Sequence, residues 1–413
     1  MTLRIRNLII LAILFKLILV SFFGLMFAIK PHYPGQIGNK PTSLIFAFYN
    51  QDGTIYQDIC AGGYQKKYIT ESKESTMYMA FLPALPLAIC ALQWYPASID
   101  MTWYGGVVVN FLLWLLFIVS IKYFLDKYYK DRSQILYIIS FFVLFPTSFF
   151  LQLNYTETIF LPLSLFIWRM VDENKIRRAS LLGFLLGFVR ITAIPFAALM
   201  WLKYNINLIK HKKEKTLEQV FFTYRYLLDS LSFLLYGFGS VLTFAYFKYE
   251  YGDWNLFFKS QKDYFGRETN LNSFVTSLKE IFAFFNPNWA EISYWDSYDF
   301  SKQLQNTGFY FYDQMFRQIN LYTLPMVFAF LASLLLLKKK RYYELFYCWA
   351  MWLVPILSSS NSINRYLIQS FPFLIVTAEA AYGNKYLRFP VLIIVSILYL
   401  LYFILHAYGF WIA

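Results

Sequence analysis

Charge is scarce in this chain: Asp, Glu, Lys and Arg make up 15% of its 413 residues, whereas 58% are hydrophobic and 22% aromatic. That balance excludes a soluble globule, because no fold of this size hides so much apolar surface from water. Histidine and cysteine are rarer still, with three of each. His32, His211 and His406 lie far apart and show no metal-ligand spacing, so no resident metal centre is expected. Cys60, Cys90 and Cys348 have no paired spacing either. The expectation is small apolar fillers rather than a disulfide framework or a thiol nucleophile. There is no Gly-rich phosphate loop ending in Lys-Ser/Thr, which argues against a nucleotide-driven pump or a soluble nucleotide-sugar domain. Internal repeats and the inverted symmetry of many secondary transporters are also missing, which disfavours a carrier.

What the sequence has instead is a series of apolar runs separated by basic clusters. Its formal net charge of +13 is read as membrane topology rather than nucleic-acid binding, because most Lys and Arg fall in six clusters that mark cytoplasmic loops. These are Arg4/Arg6, Lys122–Arg132, Arg169–Arg178, Lys203–Arg225, Lys338–Arg341 and Lys385/Arg388. Each span needs roughly 20 apolar residues to cross about 30 Å of hydrocarbon. The runs place spans at 8–29, 102–124, 133–150, 155–171, 179–191, 192–208, 226–248, 319–337, 342–358, 366–382 and 388–410. The expected fold is therefore an all-α polytopic membrane protein of about eleven helices, with 1–413 as a single integral membrane domain. The first span lacks a small-residue cleavage site and follows Arg4 and Arg6, so it is expected to be retained with a cytoplasmic N-terminus. The stretch 179–203 reads equally well as one helix or as two meeting at Arg190. Met79–Tyr95, interrupted by Pro83 and Pro86, is expected to be a re-entrant or surface-lying helix, with a short true span as the alternative.

This topology leaves two long external segments, 30–101 and 249–318, both rich in aromatic and polar residues. In the first, a short helix over 52–61 would put Asp52 and Tyr56 on one face and turn Asp58 away. Glu157 closes the sequence NYTE between two apolar runs, where an acid signals a wet cavity. Asn154 and Thr156 form a glycosylation sequon, discounted because it lies so close to the bilayer. Arg190, amid apolar residues, costs about 3 kcal/mol on insertion scales unless it reaches water or an anion. Arg365 precedes a span on the outer side, against the charge rule, and Tyr366 follows it. Because guanidinium groups bind phosphate bidentately, Arg190 and Arg365 are candidates for holding a lipid phosphate. Asp253 and Gln261, in YGDWNLFFKSQ, open the second external segment.

Six segments in order, QDGTIYQDICAGGY, MAFLPALP, LFPTSFFLQLNYTETIF, LLGFLLGFVRITAI, YGDWNLFFKSQ and NRYLIQSFPF, resemble the PIG-V family of GPI mannosyltransferases and their bacterial relatives. That family lies within the GT-C superfamily of membrane glycosyltransferases. The chain departs from the family pattern at Gln51, where Trp is usual, at Leu82, where Phe is usual, and at Ala193, near the family's Gly. The resemblance implies transfer of a hexose, mannose by analogy, from a polyprenyl phosphate (dolichyl or undecaprenyl) to a lipid-linked or glycan acceptor on the extracytoplasmic face. It implies Asp52 as the base. Arg190 and Arg365 would stabilise the departing phosphate, while Tyr56, Glu157, Asp253, Gln261 and Tyr366 would bind or orient substrate. In-line attack by the acceptor would invert the anomeric centre. Asp52, Glu157 and Asp253 are hard oxygen ligands that could take a divalent cation, although their spacing demands none. A bacterial plasma membrane is favoured over the endoplasmic reticulum, with the bilayer, the donor and the acceptor as partners and no nucleic acid. Two other classes share these features: a transporter or flippase, and a polymerase of lipid-linked saccharides.

Overall fold

The computed structural model describes residues 5–29, 52–64, 73–92, 99–211, 223–267, 271–281, 323–357 and 363–407. Large parts of the two expected external segments, 30–51, 65–72, 93–98, 268–270 and 282–322, lie outside the described residues. Among the described residues the structure is helical, with no strand. In chain order the helices are α1 (Ile5–Ile29), α2 (Asp52–Gly62), α3 (Ala84–Ala91), α4 (Ile99–Tyr128), α5 (Arg132–Leu144) and α6 (Glu157–Asp172). There follow α7 (Ile176–Gly187), α8 (Ala193–His211), α9 (Tyr224–Ser232), α10 (Leu235–Tyr251), α11 (Leu256–Asp263) and α12 (Leu271–Ile281). The last five are α13 (Leu324–Lys338), α14 (Tyr342–Ile356), α15 (Ile363–Tyr366), α16 (Phe371–Gly383) and α17 (Arg388–Ala407).

Among the described residues two stretches, Ile5–Phe22 in α1 and Gly105–Tyr128 in α4, are long and apolar enough to cross a membrane. The number rises to four if α5 with the 3-10 turn Pro146–Gln152, and α9 with α10, each count as one bent span. Proline explains the first break: Pro146 removes a backbone donor and pushes Phe145 out of the helical region. Several other apolar runs fold as helices shorter than a bilayer is thick, such as the 12-residue α7, which rises about 18 Å. The stretch 179–203 is not one helix. It breaks over 188–192, with Arg190 in the break, between α7 and α8.

The chain divides into two compact units, Met1–Phe22 with Phe48–Val143 and Phe150–Gly266, and Phe23–Ala47 with Leu144–Phe149 and Arg267–Ala413. In the first unit, Trp114 Nε1 donates to the Ala12 carbonyl at 3.4 Å and Lys16 Nζ to Asn110 Oδ1 at 2.7 Å, so α1 and α4 run antiparallel. Described residues of the basic clusters meet at one end of this unit. Arg169 donates to the Tyr123 carbonyl and pairs with Glu173 at 2.7 Å, and Lys203 pairs with Asp172 at 2.8 Å. Burial pushes the Glu173 carboxyl up, but hydrogen bonds from Lys175 and Arg169 prevail and hold it at about 2. The 16 residues of α6 rise about 24 Å, which puts Glu157 at the opposite end from these clusters.

The second unit repeats this polarity. Lys339 and Arg341 both meet Glu379, the latter at 2.9 Å. The 15 residues of α14 then climb about 22 Å to the end where Trp352 Nε1 donates to the Ile363 carbonyl at 2.9 Å. Arg365 sits at that end, on the four-residue α15.

Candidate functional site

Helix α2 begins at Asp52, where a carboxylate in the first turn suits the positive end of the helix dipole. Asp52 and Tyr56 lie one turn apart and both are buried, at 9% and 2% exposure. Asp58 is exposed and accepts a hydrogen bond from the Tyr78 hydroxyl at 3.3 Å. The helix is held from several sides. The Tyr56 ring meets Phe81 edge-on at 5.1 Å. At the far end of α2, the Tyr64 hydroxyl donates to the Phe81 carbonyl at 2.6 Å, and the Tyr64 carbonyl accepts from the Tyr251 hydroxyl.

Cys60 and Cys90 form a disulfide with Cα atoms 5.5 Å apart, which corrects the expectation that all three cysteines are apolar fillers. A separation of 30 residues carries no signal by itself. The pairing arises because α2 and α3 pack together. Cys348 is free and buried, as a filler would be. Helix α3 is eight residues long, about 12 Å of rise, far short of a bilayer. The Ala84 amide that opens it donates to the Phe188 carbonyl at 3.1 Å, tying this segment to the α7–α8 break.

Within that break Arg190 pairs with Glu157, whose carboxylate is fully buried. The protein thus supplies an anion for the guanidinium that the sequence makes a candidate phosphate contact. Ile159, two residues after Glu157, and Ile191, next to Arg190, pack against the apolar cluster that contains Ile55, Tyr56, Ile59 and Phe81. Thus α2, the 80–84 segment and the Glu157–Arg190 pair belong to one packed region of the first unit.

Lys16, Asn110 and Gln152 are functional candidates that the sequence reading passed over. The Lys16 ammonium, 5% exposed, donates to Asn110 Oδ1 at 2.7 Å, Gln152 Oε1 at 2.8 Å and the Gln152 carbonyl at 3.1 Å. Asn110 Nδ2 completes the network by donating to the Leu153 carbonyl at 2.6 Å. A signal was present: one lysine inside an otherwise apolar first span, where an ionisable residue points to a buried polar network.

The remaining candidates are distributed less favourably. Asp253 follows Gly252, whose φ of 82° caps α10 in the left-handed region that favours glycine. Its carboxylate accepts from the Asn255 amide at 2.8 Å and pairs with Lys259 at 2.5 Å. Those two contacts, Lys259 first, hold its carboxyl below the usual range. Gln261 donates to the Ala80 carbonyl at 2.9 Å, so its amide anchors the 3-10 turn Lys73–Ala80. Arg365 and Tyr366 are buried in the second unit. Among the described residues no group of three or more His, Cys, Asp or Glu comes together for a metal, so Asp52, Glu157 and Asp253 are not one ligand set. No family model, curated protein or solved structure matches this chain.

Proposed function

We propose that the chain is a multi-pass membrane glycosyltransferase of the GT-C type, transferring a hexose from a polyprenyl phosphate to a lipid-linked or glycan acceptor on the extracytoplasmic face. The observation that carries this reading is the buried Asp52, set at the start of a short helix that Tyr56, Tyr64 and the Cys60–Cys90 bond hold in place. A fixed carboxylate with its own supports is what proton removal from an attacking hydroxyl requires. The departing phosphate needs no nucleotide, and attack in line with it inverts the anomeric carbon. Mannose as the sugar, about eleven spans and a bacterial plasma membrane belong to the same reading and rest on the six motifs that resemble the PIG-V family. The disulfide adds support for the extracytoplasmic side, because such bonds persist in oxidising compartments.

The test uses purified protein, radiolabelled polyprenyl-phosphate mannose and a lipid extract supplying acceptors. Wild type is expected to transfer label, and Asp52→Asn to lose on the order of a hundred- to ten-thousand-fold in rate. Failure of the wild type to use any monophosphate donor, or full activity of Asp52→Asn, overturns the proposal.

A further inference from the structure

Two loops in the first unit carry buried polar atoms with no hydrogen-bond partner among the described residues. Gln152 Nε2 and both side-chain atoms of Asn154 lie on the loop leading into α6, and Thr192 Oγ1 lies on the loop leading into α8. Asn154 is 1% exposed and Thr192 8%. The Glu157–Arg190 ion pair joins these loops, three residues after Asn154 and two residues before Thr192. Lys16 fixes the other side of the first loop by binding Gln152 through both its carbonyl and its side chain. Buried amides and hydroxyls are almost always paired, and a protein keeps unpaired ones at a cost to its stability. Here they lie on the two loops that one ion pair joins, and together they offer both donors and acceptors without net charge.

We infer that Asn154, with Thr192, forms a subsite for the hydroxyl groups of a sugar, held in place by Lys16 from one side and the Glu157–Arg190 pair from the other. The complement of a neutral set of donors and acceptors is a polyol, whereas a phosphate would call for an unshared cation. The inference rests on the glycosyltransferase reading and deepens it: it assigns sugar recognition to these two loops rather than phosphate binding to Arg190. Asn154 and Thr192 are contact residues on this view, and Lys16 is a positioning residue. The burial of Asn154 also closes its glycosylation sequon in the folded chain.

Native mass spectrometry of the full-length protein in detergent tests this with two probes, a short-chain polyprenyl phosphate and the same lipid phosphate carrying mannose. Shape-matched variants Asn154→Leu and Thr192→Val remove the polarity without opening a cavity. Wild type is expected to prefer the mannose-bearing lipid, and each variant to lose about tenfold of that preference while keeping its affinity for the bare phosphate. Thermal midpoints of the variants are expected to match or exceed wild type, because a buried unpaired polar group has been removed; a purely structural role would lower them. Lys16→Met should lose the preference and Lys16→Arg should restore part of it. Variants that keep the wild-type preference overturn the subsite and leave the glycosyltransferase reading standing. A wild type that takes up neither lipid overturns that reading and the subsite with it.

Discussion

Arg190 has a partner in the folded chain that its sequence context does not name, the Glu157 carboxylate. Its isolation among apolar residues calls for a counter-charge or water, and it stands in the break between α7 and α8. What no linear pattern could supply was Glu157, 33 positions away, because the two meet only when α6, α7 and α8 pack. The consequence is measurable. Arg190→Ala strips a fully buried carboxylate of its ion partner and is expected to cost about 3–5 kcal/mol. Arg190→Met combined with Glu157→Leu should recover most of that, since an apolar pair of similar volume is often neutral. Thermal unfolding in detergent separates the outcomes. A stable Arg190→Ala protein that had lost only lipid binding would mean that the guanidinium serves phosphate instead. Asp52 stands out as an acid after a long apolar span, whereas the partners of Lys16, Asn110 and Gln152, lie 94 and 136 positions away.

At the scale of elements, the placement of the α7–α8 break depends on a seam of small residues. Gly183 and Gly187 on α7 face Tyr236 and Gly239 on α10, and Ser240 Oγ donates to the Gly187 carbonyl at 2.7 Å. A Cβ added at Gly239 would sit 2.7 Å from the Phe188 nitrogen and 2.8 Å from the Gly187 carbonyl carbon. Both are backbone atoms that cannot swing aside, so the helices must part. Close approach through small residues is the usual means of helix association in membranes. Gly239→Ala is therefore expected to destabilise by about 1–3 kcal/mol and to displace the loop carrying Arg190 and Thr192, lowering the proposed transfer activity as well. Gly237→Ala is the control, because its added Cβ meets only the Ile194 side chain, at 3.6 Å. Equal effects from both substitutions would show that the seam does not set the loop. The Gly183–Gly187 spacing was visible in LLGFLLG, but its partner at Gly239 was not, because it lies on a different helix. The Cys60–Cys90 bond is the same lesson: local spacing reports a helix face and says nothing of which faces meet.

Across the whole molecule, the distribution of charge was the most legible property of all. Positive clusters are expected on one side of a membrane from sequence, and in the first unit Arg169 and Lys203, from two of them, lie at one end, about 24 Å along α6 from Glu157. The number of crossings was far less legible, because apolar length alone cannot tell a span from a broken or shortened helix. Sidedness can be measured directly. Arg177, with 71% of its side chain exposed, lies at the basic end, and Trp254, 61% exposed, lies just past α10. The native thiols provide a quiet background, two in a disulfide and one buried. A membrane-impermeant maleimide applied to intact cells is expected to label Trp254→Cys and to spare Arg177→Cys until the membrane is opened. The reverse pattern would place Asp52, α2 and the disulfide in the reducing cytosol. A polyprenyl-phosphate donor presented from outside could not then reach Asp52, and the glycosyltransferase reading would lose its geometry along with its orientation.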